Sequence, residues 1–371
     1  MTREEQVKRF KNVKLVIGNG FDLHCNLKTS LKDYFNYNKK KNNKIYETIN
    51  KNIYKIRNSN SLNISDYEQI NIKQTNIWDF YFNNLYYHNN EYRWCDVEEG
   101  ILNSFRDDEY PSFWKEVFRS YSNYKDAISR FYAIIAYQRN GNKKFKNRTD
   151  YYDFLLKELN EFEKDFGKYI KSQHSVNQDC KNNNIKESEF ITLAIRTIEQ
   201  LCSLDNLVSI DSFNYDSIND SRIKNKIYNL NGDCDNPIFG IDSNAFEADD
   251  YRYIFTKTNR RMELDMIKKE ERVTVPFDNV VIYGHSLNKA DYNYFFALFD
   301  KLNLIDSSNN SKVVFAYSLY PGSKPEDIRK NYRSGISQLF CSYSTYIGKT
   351  TEPNRLLDLL TLEDKVFIYE I

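Results

Sequence analysis

The cysteines of this sequence lack partners. Six occur in 371 residues, at Cys25, Cys95, Cys180, Cys202, Cys234 and Cys341, and none stands in a CxxC or beside a His at metal-ligand spacing. Neither a disulfide framework nor a zinc site is expected, and no other metal is indicated. An excess of charge is also missing, with Lys+Arg at 53 and Asp+Glu at 52. A chain that clamps a phosphate backbone by charge carries a basic surplus, so nucleic acid is not an expected partner. Short runs such as Lys39-Lys40-Lys41 leave room only for a local patch. No segment approaches the roughly 20 apolar residues that cross a bilayer, so no membrane partner is expected. The opening MTREEQVKRF has none of the apolar core of a signal peptide, and the expected compartment is the reducing cytoplasm. Glycine (11) and proline (6) are scarce, while Tyr (30) and Phe (25) are plentiful. This is the drift of AT-rich coding and says little about function, though the rings supply material for a core.

What is present is a succession of strand and helix signals. Val13-Lys14-Leu15-Val16-Ile17 is a short β-branched run that ends in Gly18-Asn19-Gly20, as a first strand of a parallel sheet does. Leu27 to Tyr37 follows, with Thr29 and Ser30 placed to cap a helix. Residues 38–75 are rich in Asn and Lys and predict helices joined by polar loops. Helical spacing then dominates Pro111 to Tyr137, Thr149 to Gln173 and Glu187 to Leu204. Strand signals return abruptly at Leu207 to Ile210, Lys226 to Leu230, Ile238 to Ile241, Asn279 to Tyr283, Val313 to Tyr317 and Val366 to Ile371. The pattern predicts an α/β domain with a mostly parallel sheet, formed by residues 10–31 and 205–320. A large helical insertion over 32–204 interrupts it, and 321–371 forms a C-terminal extension packed on the sheet domain.

Polar clusters fall at the predicted strand ends, where open α/β sheets bind ligands. Gly18-Asn19-Gly20-Phe21-Asp22 follows the first strand; its glycines would let the backbone approach a pyrophosphate, with Asp22 capping the next helix or accepting a ribose hydroxyl. A third glycine is missing, since Leu23 stands at its place, and a tight strand-to-helix turn explains the cluster equally well. Phe213-Asn214-Tyr215-Asp216 is the second cluster. Asn214 either orients a ribose or a water, or makes an Asx turn beside a core Tyr. Tyr283-Gly284-His285-Ser286-Leu287, followed by Asp291, is the third, with His285 either a base or phosphate ligand or a structural side chain. Trp94 reads as a core anchor, and Asp96 with Glu98 or Glu99 fits the first turn of a helix, where carboxylates favour the dipole.

In their order these pieces resemble the AbiH family of bacterial abortive-infection proteins. Leu15 to Leu23 with Leu27-Lys28-Thr29-Ser30 is similar to its opening signature. Trp94–Asp96–Glu98, Phe213-Asn214-Tyr215, Phe239-Gly240-Ile241, Phe255-Thr256-Lys257-Thr258 and Tyr283 to Leu287 match later blocks, over about residues 12–320. The resemblance implies defence against bacteriophage. A more distant similarity to sirtuin-like domains implies a Rossmann-like fold and cleavage of NAD or a related nucleotide. On that analogy Gly18, Asn19, Gly20 and Asp22 hold the pyrophosphate and first ribose, with Asp216 also on the cofactor. Asn214 positions the nicotinamide ribose or the attacking water, and Ser286 contacts the adenosine half.

Two departures mark this chain. Asn231-Gly232 stands where relatives carry His-Gly, and Asn cannot exchange a proton near neutral pH. The small His-Gly step before Leu27 reads Cys25-Asn26, with a His one place earlier at His24. Either this member is attenuated, with Asn231 in the base's place beside Asn214, or the site uses His285 or a carboxylate, or the change was made deliberately. The alternatives are a toxic nuclease acting on RNA, or a non-enzymatic sensor of a nucleotide or phage protein. The Tyr- and Phe-rich insertion either packs within itself or serves a homo-oligomer or a phage-derived trigger.

Overall fold

A computed structural model describes residues 3–41, 47, 76–82, 95–105, 132, 135–143, 145–174, 187–268, 275–319, 324–348 and 354–371. The chain divides into two compact units. The first comprises Met1–Thr29, Gly167–Pro237 and Arg261–Ile371, and the second Ser30–Phe166 and Ile238–Arg260.

The first unit is built on a six-stranded sheet: β1 (Val13–Ile17), β2 (Leu207–Ser212), β3 (Ile227–Asn229), β4 (Asn279–Tyr283), β5 (Lys312–Tyr317) and β6 (Val366–Glu370). Every pairing is parallel and the order is β3-β2-β1-β4-β5-β6. All residues of β1 and β4 are buried, as expected of central strands covered on both faces. Alternation sends Val13, Leu15 and Ile17 to one face, against Phe190, Ala194, Ile198 and Leu201 of the helix Glu187–Leu201. Val16, Val280 and Ile282 point to the other, where the helices Tyr292–Lys301, Pro325–Tyr346 and Arg355–Leu362 supply Phe295, Phe299, Leu339, Phe340 and Leu360. The chain passes from β1 to neighbours on opposite sides, β2 and β4, so the switch point of the sheet lies at β1. The segment 321–371 does more than pack on the sheet, because its β6 pairs with β5 inside it.

One polar group is built into the second face. Lys14 Nζ donates to Asp211 Oδ1 at 3.0 Å, and Tyr294 donates its hydroxyl to Asp211 Oδ2 at 2.7 Å. Lys14 and Asp211 are both buried, so each charge has a partner and the pair is tied to the helix above by Tyr294.

The second unit is helical in most of its described parts, including Leu31–Lys41, Cys95–Ser104 and Arg148–His174 up to Phe166, while Ile238 to Thr256 is largely turns. Ser30 caps the first of these as expected, accepting from the Asp33 amide at 3.1 Å. Tyr34, Phe162, Phe166 and Phe239 pack their rings together at its centre. The same unit holds two buried ion pairs, Lys257–Glu98 at 2.7 Å and Arg260–Glu163 at 2.6 Å. The expected strand at Ile238 to Ile241 is absent. Those residues belong to this unit, with a single parallel bridge between Ile241 and Thr256. They are apolar because they are buried beside Phe162 and Phe166, which a short run cannot distinguish from a strand.

Candidate functional site

The loops that follow β1 and β4 are laced together by their backbones. Gly18 donates its amide to the Tyr283 carbonyl at 3.0 Å and Gly20 donates to the Gly284 carbonyl at 2.8 Å. Side chains are excluded from this junction. A Cβ on Gly284 would lie 2.4 Å from the Phe21 nitrogen, and its φ of +68° is in the left-handed region. The glycines therefore serve the approach of one loop to another, and the amides of Gly18 and Gly20 are bonded to carbonyl oxygens.

That junction brings Asn19, Asp22 and Asn214 into one hydrogen-bonded group. Asp22 stands inside the short helix Asn19–His24 and caps nothing. Asn214 makes no Asx turn with its side chain. Its amide nitrogen donates to Asp22 Oδ1 at 2.7 Å and to the Gly18 carbonyl at 3.0 Å, joining residues 192 and 196 positions apart. Its backbone amide is held by Ser212 Oγ at 3.1 Å. Thr29, which shares no cap with Ser30, donates its hydroxyl to Asn19 Oδ1 at 2.6 Å. Burial, and then the charge of Asp216, hold the Asp22 carboxyl well above its ordinary range; hydrogen bonds from Thr29 and Asn214 oppose the shift without cancelling it.

Asp22 therefore carries a pH signature. The native state keeps a proton that the unfolded chain releases near 3.8, so its contribution is full below that pH and is lost as pH climbs towards the raised folded value. Asp22→Asn retains an oxygen for Asn214 and has nothing to ionise. Urea unfolding at about pH 5 and about pH 8 is expected to show a smaller stability difference in the variant than in the unaltered chain. Equal differences would mean that Asp22 is charged in the folded state at both.

A second group forms at the ends of β2, β3 and β4. His285 Nδ1 accepts the Leu287 amide at 2.9 Å, so the ring proton resides on Nε2, which faces Asp291 Oδ2 at 3.4 Å. Phe213 and Phe295 pack edge-on against the buried imidazole. Asn231 donates to the Phe213 carbonyl at 3.4 Å and accepts from Arg261 Nη2 at 2.9 Å. The same Nη2 lies 3.5 Å from Asp291 Oδ1, and Arg261 Nε donates to the Leu230 carbonyl at 3.2 Å. Arg261 thus links Asn231 to the carboxylate that faces His285. Sequence reasoning missed it: the doublet Arg260-Arg261 lies on the helix Lys257–Lys268, and only its fold neighbours distinguish one arginine from the other.

Of the remaining expected residues, Asp216 is buried and Ser286 is exposed. Asp216 borders a groove of about 530 Å³ on the β2–β3 flank, whose wall also includes Asn229, Asp233 and Cys234. Asn19, Asp22, Asn214, His285 and Ser286 do not line that groove. Trp94 lies outside the described residues, as do the side chains of Cys95 and Asp96; Glu98 is committed to Lys257 in the second unit. Among the described residues no three His, Cys, Asp or Glu side chains are gathered as a metal site requires, and no helix is long and apolar enough to cross a membrane.

Helices on both faces of an all-parallel sheet define an α/β protein, with polar side chains gathered where the strands end. The family model for bacteriophage abortive infection AbiH matches residues 15–317, and the chain belongs to that family. Membership implies a role in abortive infection of bacteriophage. No curated protein and no solved structure matches the chain.

Proposed function

We propose that this abortive-infection protein is an effector that binds NAD or a related nucleotide at the carboxyl ends of β1, β2 and β4 and hydrolyses its glycosidic bond. The observation that carries this reading is the bond from Asn214 to Asp22 and Gly18, which unites the ends of β1 and β2 at the switch point. The strand order supports it, being that of doubly wound, Rossmann-like dinucleotide-binding sheets. In hydrolysis, water adds its oxygen to the anomeric carbon, the heterocycle leaves with the bonding pair, and a proton is given up. Asn214, whose amide nitrogen is committed to Asp22 and Gly18, orients the ribose or the water through its Oδ1. With both nitrogens of His285 turned inward and Asn231 unable to take a proton, the Asp216 carboxylate, two residues beyond Asn214, is the group for that step. Induction in phage-infected cells is expected to deplete NAD while ribosomal RNA stays intact. Degraded RNA with unchanged NAD would replace the proposal with a nuclease.

A sensor that binds without turnover is the second reading. The internal bonding of His285 and Asn231 favours it, since both are held as parts of a scaffold.

A further inference from the structure

The two edges of the sheet are finished differently. β3 has three residues, and so short an edge strand offers a neighbour little to pair with. β6, at the other edge, has five, Val366-Phe367-Ile368-Tyr369-Glu370, with neither Lys nor Pro among them. Its pairing with β5 uses alternate residues. Val313 donates to the Lys365 carbonyl at 2.8 Å and Ile371 donates to the Tyr317 carbonyl at 2.9 Å. In this parallel register the amides of Phe367, Tyr369 and Ile371 turn towards β5, and the backbone groups of Val366, Ile368 and Glu370 face away from the sheet. Ile368 and Glu370 are exposed, and their amides and carbonyls have no partner among the described residues. Such a row of backbone donors and acceptors is completed by another strand. Apolar surface accompanies it. Ile368 is 37% exposed, and Leu359 and Leu362 of the helix Arg355–Leu362, which packs on β6, are 40% and 86% exposed.

We propose that β6 pairs antiparallel with β6 of a second copy of this chain, about a two-fold axis through Ile368. In that register Ile368 lies opposite its own counterpart, each donating to and accepting from the other, and Val366 lies opposite Glu370 on both sides of the axis. The outward backbone groups of all three residues are then satisfied. Charge complements this register. A charged residue on the axis would meet its own like charge, and the residue there is an isoleucine. The carboxylate of Glu370 meets Val366 and is already neutralised by Arg329 at 2.8 Å. Strand alternation places Ile368 on the face that the helix Arg355–Leu362 covers, so that face of one copy continues into the same face of the other. Six strands from each copy join in one sheet of twelve. Because the central pair is antiparallel, the strand ends that carry Asp22 and Asn214 open at opposite rims of the dimer. The strand contact is short, so the dissociation constant is expected at the weak end for specific dimers, on the order of micromolar.

Sedimentation equilibrium of the full chain over about 1–100 µM, a range around that constant, tests the assignment. A dimer is expected. Ile368→Lys sets like charges on the axis and should weaken it at least about tenfold, with a circular dichroism spectrum that matches the unaltered chain. Oxidative cross-linking checks the register. Ile368→Cys should give a covalent dimer that the unaltered chain does not, because opposed residues of a hydrogen-bonded antiparallel pair stand about 5.5 Å apart at Cα, within disulfide reach. Glu370→Cys is the control, since its counterpart stands four residue steps along the strand, roughly 14 Å away, and should not cross-link. A dimer that Ile368→Lys leaves intact, or equal cross-linking at both positions, would overturn the proposal. So would a monomer at the highest concentration, which would leave the edge to a strand of another protein.

Discussion

Asn231→His is expected to raise NAD hydrolysis over the rate that the Asp216 carboxylate supports, by at most the roughly 10²–10⁴-fold that a general base contributes. The side chain at 231 stands at the end of β3, beside the Phe213 carbonyl and 2.9 Å from Arg261 Nη2. An imidazole there faces a guanidinium, which disfavours its protonated form and keeps it ready to accept a proton near neutral pH. Asn214 lies next along the chain from Phe213, so the new base adjoins the amide that orients ribose or water. Nucleotide affinity should change little, because asparagine and histidine both donate and accept hydrogen bonds. Asn214→Ala in the same background should abolish the gain. A variant that binds as before and turns over nothing would move the protein to the sensor reading.

The second large effect is on stability. Gly284→Ala is expected to destabilise the sheet unit by several kcal/mol, about 1–2 for a left-handed residue with a side chain and about 1–3 for overpacking. The new methyl would sit 2.4 Å from the Phe21 nitrogen, which is backbone and cannot rotate away. Against a total of about 5–15 kcal/mol, this corresponds to a fall in Tm on the order of 10 °C. Gly141→Ala is the control: its φ is also +68°, with nothing within 4 Å of the added atom, so only the conformational cost applies. If both variants melt alike, the junction between the β1 and β4 loops is looser than its geometry indicates.

The sheet was legible in the sequence because buried parallel strands are written as short β-branched runs ending in glycine. Val13–Ile17 and Asn279–Tyr283 are such runs, and both are central strands. Ile238 to Ile241 has the same local composition and is no strand of that sheet; a run that short reports burial and leaves the partner unspecified. The grouping of Asn19, Asp22 and Asn214 followed from the rule that strand carboxyl ends share one edge. The roles of the glycines did not follow, since a glycine needed for a ligand and one needed for a neighbouring loop look the same in sequence. His285 was equally ambiguous: its tautomer depends on the Leu287 amide and on Asp291, and that geometry appears only when the loop folds. Arg261 and the groove beside Asp216 arise from contacts between distant segments and left no local signal.

The central claim is that a nucleotide binds where β1, β2 and β4 end, and the direct measurement is a crystal structure of the chain soaked with NAD. Density in contact with Asn214 at those strand ends is the result the account predicts. A nucleotide seated elsewhere on the chain, or none at a concentration that saturates binding in solution, would contradict it.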